Sequence, residues 1–160
     1  MNRVIHWKKA FFSTKHKLFA GDHKVGELST SSFSISDAKG KMYDSNIEFK
    51  NRSFFGNEID IIDLNHGSVI GTITFNAWSS KAKIVLSGKE VDCKSDNIWG
   101  TKWSIIDEGK KLLQYKSSTT SGTIETNIND PILLLSGLFI FNYFIQMIII
   151  VMVCVIVTVI

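Results

Sequence analysis

Proline is almost missing from this chain: Pro131 is the only one among 160 residues. Cysteine is nearly as scarce, and Cys93 and Cys154 supply neither a disulfide framework nor the CxxC or Cys/His spacing of a metal site. No nucleophile elbow with Ser-His-Asp order, no phosphate-cradling glycine loop and no paired-Glu helix occurs. An enzyme is therefore not expected, and no cofactor is called for. The opening MNRVIHWKKAFF lacks the unbroken apolar core of a secretory signal peptide, so none is expected. Charge is the most telling absence: after Asp130 there is none.

The uncharged stretch is PILLLSGLFIFNYFIQMIIIVMVCVIVTVI, thirty residues that must be hidden from water. Ahead of it the chain is polar and unevenly charged. Residues 1–24 hold Arg3, Lys8, Lys9, Lys15, Lys17 and Lys24 against Asp22 alone. Such a patch reads either as a solvated strand face or as a contact for anionic lipid head groups, where each basic residue contributes about 1 kcal/mol. Without a base-reading module beside it, it does not point to nucleic acid.

The polar part repeats. FFSTKHKLFAGDHKVGELS (11–29), FFGNEIDIIDLNHGSVIGTIT (54–74) and WGTKWSIIDEGKKLLQYK (99–116) each begin with an aromatic residue followed by Ser or Gly. Phe12, Phe55 and Trp99 are 43 and 44 residues apart, a period that marks repeated supersecondary units. Each unit reaches a turn, at Gly21-Asp22, Asn65-His66-Gly67 or Asp107-Glu108-Gly109, and then a second strand. Second halves follow, with turns placed at Lys39-Gly40, Ser87-Gly88 and Ser121-Gly122. Three units of four strands predict an antiparallel barrel of about twelve strands over residues 1–130.

Barrels wider than about eight strands leave a lumen, so twelve would need a plug. Pro131 fits the first turn of a helix, and Asn129 or Asp130 fits its cap. A helix over 131–146 would be about 24 Å long, matching strands of six to eight residues. Its residues Leu134, Leu138, Phe139, Phe141 and Asn142 are the expected plug, with Ser136-Gly137 giving close approach to a strand. A buried Asn142 would need a polar partner.

Three four-stranded units followed by an apolar C-terminal helix resemble the tubby-like superfamily. That superfamily comprises the tubby C-terminal domain, LURP-one-related proteins and phospholipid scramblases. GTITFNAWSSKAKIVLSGKEV, WGTKWSIIDEGKKLLQYKS and NDPILLLSGLFIFNYF are also similar to small bacterial proteins of that type. The resemblance implies a twelve-stranded barrel threaded by a hydrophobic helix. Lipid-contacting residues of tubby domains do not carry over one by one.

Residues 147–160 go beyond a plug and are expected to associate with a membrane. The leading expectation is a non-enzymatic binding or scaffold protein on the cytoplasmic face of a membrane, contacting anionic lipid. Two alternatives stand beside it. One is a lipid-handling protein resembling scramblases, with 138–160 as a transmembrane anchor; the other is a soluble barrel that oligomerises through its tail. No protein partner is named by the sequence. His6, His16, His23 and His66 are scattered, and the last two are read as turn residues. Trp78, Trp99 and Trp103 are read as barrel wall and core. Lys81, Lys83, Lys89 and Lys94 are placed on the solvated outside.

Overall fold

The structure is a computed structural model and describes residues 2–160. Twelve strands precede one helix. They are β1 (Arg3–Lys8), β2 (Lys15–Ala20), β3 (His23–Thr30), β4 (Ala38–Met42), β5 (Ser45–Asn51) and β6 (Glu58–Asp63), followed by β7 (Ser68–Asn76), β8 (Lys81–Leu86), β9 (Lys89–Ser95), β10 (Lys102–Asp107), β11 (Lys110–Ser117) and β12 (Ser121–Thr126). A 3-10 turn, Ala77–Ser79, joins β7 to β8, and α1 runs unbroken from Pro131 to Val159.

Every strand pairs antiparallel with the next, and β12 pairs with β1, so the sheet closes into a twelve-stranded up-and-down barrel. Closure removes sheet edges, the usual sites of unwanted strand pairing. The alternating pattern dictates the two faces. In β6, for example, Ile59 and Ile61 are fully buried while Asp60 turns outward.

The threefold repeat is written into the backbone. The β2–β3, β6–β7 and β10–β11 hairpins each carry a bulge, at Leu18/Phe19, Ile61/Ile62 and Ile105/Ile106. These positions keep the 43- and 44-residue spacing of the sequence repeat. A bulge adds local twist, which helps a sheet to curl shut.

Two of the expected turns lie elsewhere. Lys39-Gly40 is inside β4, and the chain reverses at Tyr43-Asp44, with Tyr43 taking the left-handed φ of 51°. Gly40 is there because α1 passes close: a Cβ would stand 3.1 Å from Leu135 Cδ1. Ser121-Gly122 likewise opens β12, the reversal being at Ser118–Thr120. A Cβ on Gly122 would meet the Trp7 indole nitrogen at 2.5 Å. Glycine thus marked close approach at both places rather than a turn.

The helix begins as its cap residues require. The Asp130 carboxylate accepts a 2.9 Å hydrogen bond from the Leu133 amide, and Pro131 occupies the first turn. Its first half then fills the lumen. Leu133 to Phe144 are all buried, in one core with inward residues of the surrounding strands. Phe49 of β5 stacks on Phe139 with centroids 4.4 Å apart, Phe75 of β7 stacks on Tyr143 at 3.9 Å, and Trp103 of β10 stacks on Phe144 at 4.9 Å. Helix positions 134, 138, 139, 141 and 142 are all buried. Asn142 is buried with them, at 4% exposure.

Beyond Met147 the helix leaves the barrel. Residues 148–160 are exposed along their whole length, about 20 Å of apolar helix. By length and composition α1 is able to cross a membrane, with a mean hydropathy of 2.6 in its most apolar window.

Candidate functional site

In an up-and-down barrel the connections alternate between the two ends. The six that follow odd-numbered strands share the end from which α1 emerges, and the other six lie at the end where it enters. The two ends have opposite chemistry.

At the entry end the reversals are short and mostly polar: Gly21-Asp22, Tyr43-Asp44, Leu64 to Gly67, Ser87-Gly88 and Glu108-Gly109. At the exit end, five of the six loops hold large apolar side chains out into solvent. Phe11 and Phe12 stand on the first, Phe33 on the second, Phe54 and Phe55 on the third, Trp78 on the fourth, and Ile98 and Trp99 on the fifth. All eight are exposed, with Trp78, Phe33 and Phe54 at 101%, 101% and 96%.

Three of these loops share one local structure, which places the side chains at the tip. The Ser13 amide donates to the Ala10 carbonyl, Gly56 to Ser53, and Gly100 to Asn97. In each four-residue turn the two central positions are apolar: Phe11-Phe12, Phe54-Phe55 and Ile98-Trp99. Central turn positions normally favour Gly, Asn, Asp or Pro, so paired aromatics there oppose local preference. The turns are held from below by side chains. Ser53 Oγ accepts from the amides of Asn57 and Glu58, while Asn97 Oδ1 accepts from those of Thr101 and Lys102. Trp103 Nε1 donates to the Gly100 carbonyl at 3.0 Å.

Charge divides the same way. Within the exit-end loops and two residues to either side stand ten Lys or Arg and three Asp or Glu. The corresponding segments of the entry end, including residues before β1 and between β12 and α1, hold six and eight. Near the exit rim, lysines also face one another across neighbouring strands: Lys8 opposite Lys17, Lys81 opposite Lys94, and Lys102 opposite Lys116. Like charges placed so are mutually destabilising. Lys116 is relieved by Glu125 at 2.5 Å. Among the described residues Lys81 and Lys94 have no carboxylate within ion-pair distance.

The structure divides the N-terminal basic set. Lys8, Lys9 and Lys15 border the exit rim, and Lys17 lies just below them on β2. Arg3 and Lys24 are at the opposite end. Arg3 donates to Asn129 Oδ1 at 2.8 Å, and Lys24 pairs with Glu27 at 2.5 Å. The Lys24 hydrogen bond holds the Glu27 carboxyl below its usual range. Arg3 opens β1 and Lys24 lies at the start of β3, and both strands begin at the end where α1 enters.

The tryptophans also divide. Trp103 is buried in the core, as expected, but Trp78 and Trp99 are not wall or core residues: they stand on loop tips, at 101% and 79% exposure. A sequence signal for the rim was present, the doublets FF, FF and IW recurring just ahead of Ser or Gly.

Where α1 passes through the rim it leaves a cavity of about 730 Å3 against the β7–β8 and β9–β10 loops. Its floor is Trp103, Tyr143 and Phe144; Met147, Ile148, Val151 and Met152 form the helix side. Ser80, Ser95, Asp96, Asn97, Ile98 and Gly100 complete the lining. Asp96 is tied down: it accepts from Ser104, from Gln114 at 3.2 Å and from Lys111 at 3.4 Å. Partial burial pushes its carboxyl up, but the Ser104, Gln114 and Lys111 contacts outweigh that and leave it below the usual carboxylate range.

No family model matches the chain, and no curated protein matches it.

Proposed function

We propose that this protein is a membrane-anchored binding or scaffold barrel, standing upright on an anionic cytoplasmic leaflet with α1 dipping into the bilayer. One observation carries the reading: the apolar loop tips form a crown on the same end of the barrel from which the exposed apolar helix leaves. Exposed aromatics at that density are a poor fit to water and a good fit to the head-group region, where Trp and Tyr are enriched. The excess of lysine and arginine at that rim supports an anionic surface, at about 1 kcal/mol per residue near it. The functional contact on this reading is the crown and its lysines rather than a catalytic centre.

The twelve-strand layout around a helix is compatible with the resemblance to tubby-like barrels, and we read the chain as similar to that superfamily. Anchoring through 138–160, the scramblase-like alternative, would require withdrawing Leu138 to Phe144 from a fully packed core. The leading reading leaves that core intact.

The test uses the full chain in vesicles of phosphatidylcholine with phosphatidylglycerol. Emission from Trp78 and Trp99 should shift to the blue and be protected from aqueous iodide. If both remain freely quenched by iodide while the chain floats with the vesicles, the rim does not touch the membrane and the upright seat is wrong.

A further inference from the structure

Charge is divided around the girth of the barrel as well as between its ends. Strands β1 to β4 carry seven Lys or Arg against Glu27 alone. The next three strands reverse the balance, with Lys50 against Glu48, Glu58, Asp60 and Asp63. Alternation sets the direction of the lysines. Trp7, His16, Leu18, Ala38 and Met42 are buried inward, so their exposed neighbours Lys8, Lys15, Lys17, Lys39 and Lys41 stand on the outer wall.

Register joins these side chains into one surface. Lys8 faces Lys17, Lys17 faces Glu27, and Glu27 faces Lys41, a row that crosses from β1 to β4 over about 14 Å. Glu27 is taken by Lys24 at 2.5 Å and by Lys15 at 3.6 Å. Lys8, Lys17, Lys39 and Lys41 have no carboxylate within ion-pair distance among the described residues. Lysines opposed as Lys8 and Lys17 are destabilise the barrel on its own, and an acidic partner removes that repulsion.

The wall is also shaped. It holds three hollows of about 440, 510 and 380 Å3, bordered by Lys8, Lys41 and Lys39 in turn. Tyr43 borders the second of them, 46% exposed, on the β4–β5 reversal. Its backbone takes a left-handed φ of 51°, a conformation uncommon for a bulky residue. The reversal between β8 and β9 meets the same need with Ser87 and Gly88. The turn alone therefore does not call for tyrosine, a residue enriched at protein interfaces.

We propose that the outer wall of β1–β4 docks an acidic segment of a partner protein, with carboxylates on Lys17 and Lys41 and an apolar side chain against Tyr43. This names the partner of the scaffold reading, and it rests on the upright seat to the extent that the seat leaves the wall facing the cytoplasm. Two features select protein over other polyanions. The row descends from the rim: Lys8 closes β1 there, whereas Lys41 lies about 10 Å along β4 from its rim end. A flat bilayer surface meets the first and not the second. Glu27 stands in the middle of the row, where it repels an unbroken line of phosphates. A protein segment offers a neutral or basic residue at that point.

The probe is a short fluorescent peptide in which Glu alternates with Ser around a central Leu. The full chain is held in nanodiscs of phosphatidylcholine alone, so that no anionic lipid competes, and peptide anisotropy is followed at low and high salt. Wild type should bind the peptide, more weakly at high salt, and should not bind the same peptide with Gln in place of Glu. Lys17→Gln with Lys41→Gln should weaken binding about tenfold without lowering the melting temperature. Tyr43→Gly should also weaken it while raising the melting temperature, because glycine relieves the left-handed turn. Undiminished binding by the double lysine variant would overturn the site, since the acid would then be read elsewhere. So would absence of binding by wild type, or a thymidine oligonucleotide of equal charge binding more tightly than the peptide. Neither lysine lies within two residues of a rim loop, so flotation of the double variant with phosphatidylglycerol vesicles should match wild type. Flotation lost together with peptide binding would assign the wall to the membrane and overturn the protein site. The upright seat is judged separately, by the iodide measurement on Trp78 and Trp99.

Discussion

The Tyr115 hydroxyl on β11 donates a 2.8 Å hydrogen bond to the Leu134 carbonyl on α1, and its ring fills the space a side chain at position 137 would need. One strand residue thus fixes both the depth and the rotation of the helix in the barrel. Burial pushes the phenol well above its ordinary pKa, so it remains a donor at any physiological pH. Gly137→Ala should then be severely destabilising, since its Cβ would run into the Tyr115 ring. Overpacking of this kind costs about 1–3 kcal/mol. Tyr115→Phe keeps the ring and loses only the hydrogen bond, for about 1 kcal/mol. Thermal melts should rank wild type above Tyr115→Phe above Gly137→Ala.

The barrel and its helix were legible in the sequence because both rest on periodicity. Alternation at period two set the strand faces, recurring turn residues set the count, and the loss of charge after Asp130 set the helix. The crown was not legible, and the reason is local. Phe11-Phe12 and Phe54-Phe55 have the composition of strand ends, and only the Ala10–Ser13 and Ser53–Gly56 hydrogen bonds turn them outward. The cavity could not be read at all, since Trp103, Phe144 and Ser80 meet through closure of the barrel rather than through any pattern along the chain.

His16 gives the fold an acid limit. It is 2% exposed on β2, packed edge-on against Trp7 at 5.1 Å, and its Nδ1 has no hydrogen-bond partner among the described residues. Burial, reinforced by the Lys9 charge, lowers its pKa from 6.5 to about 4. In the unfolded chain the ring takes up a proton near pH 6.5, while the folded barrel resists until about pH 4. The stabilisation is therefore complete above pH 6.5 and is lost as pH falls through that window, by up to about 3 kcal/mol. His16→Leu should flatten the fall in melting temperature between pH 7 and pH 4.5. An unchanged slope would place the acid sensitivity in other groups.

A charge inside the barrel should be far more damaging than any change on the crown. Phe139 is fully buried and stacked on Phe49, and Leu134 lies in the same core. Phe139→Asp or Leu134→Asp would bury a carboxylate with no cation to meet it, and unfolding is the expected outcome. Phe55→Ser, on a tip at 85% exposure, should change the melting temperature very little. A circular dichroism spectrum lacking native β signal for the first two and unchanged for the third is the pattern to look for.

The last prediction separates the two halves of α1. Residues up to Phe144 complete the core, while Ile148 onward are exposed and touch little of the barrel beyond the recess. Removing 148–160 should leave a folded barrel; removing everything from Pro131 should leave an empty lumen that cannot stay closed and dry. Membrane residence should then fall in steps. With 148–160 gone, about 20 Å of apolar helix is lost, and binding should come to depend on the crown and its lysines, hence on salt and on anionic lipid. Adding Phe12→Ser, Phe55→Ser and Trp99→Ser to the shortened chain should release it from vesicles even at low salt, with its melting temperature preserved. Flotation of these proteins at low and high salt measures each step. If the shortened chain with a serine crown still floats, the membrane contact lies on some other face. If the shortened chain with its native crown ignores salt and lipid charge, the rim lysines take no part in it.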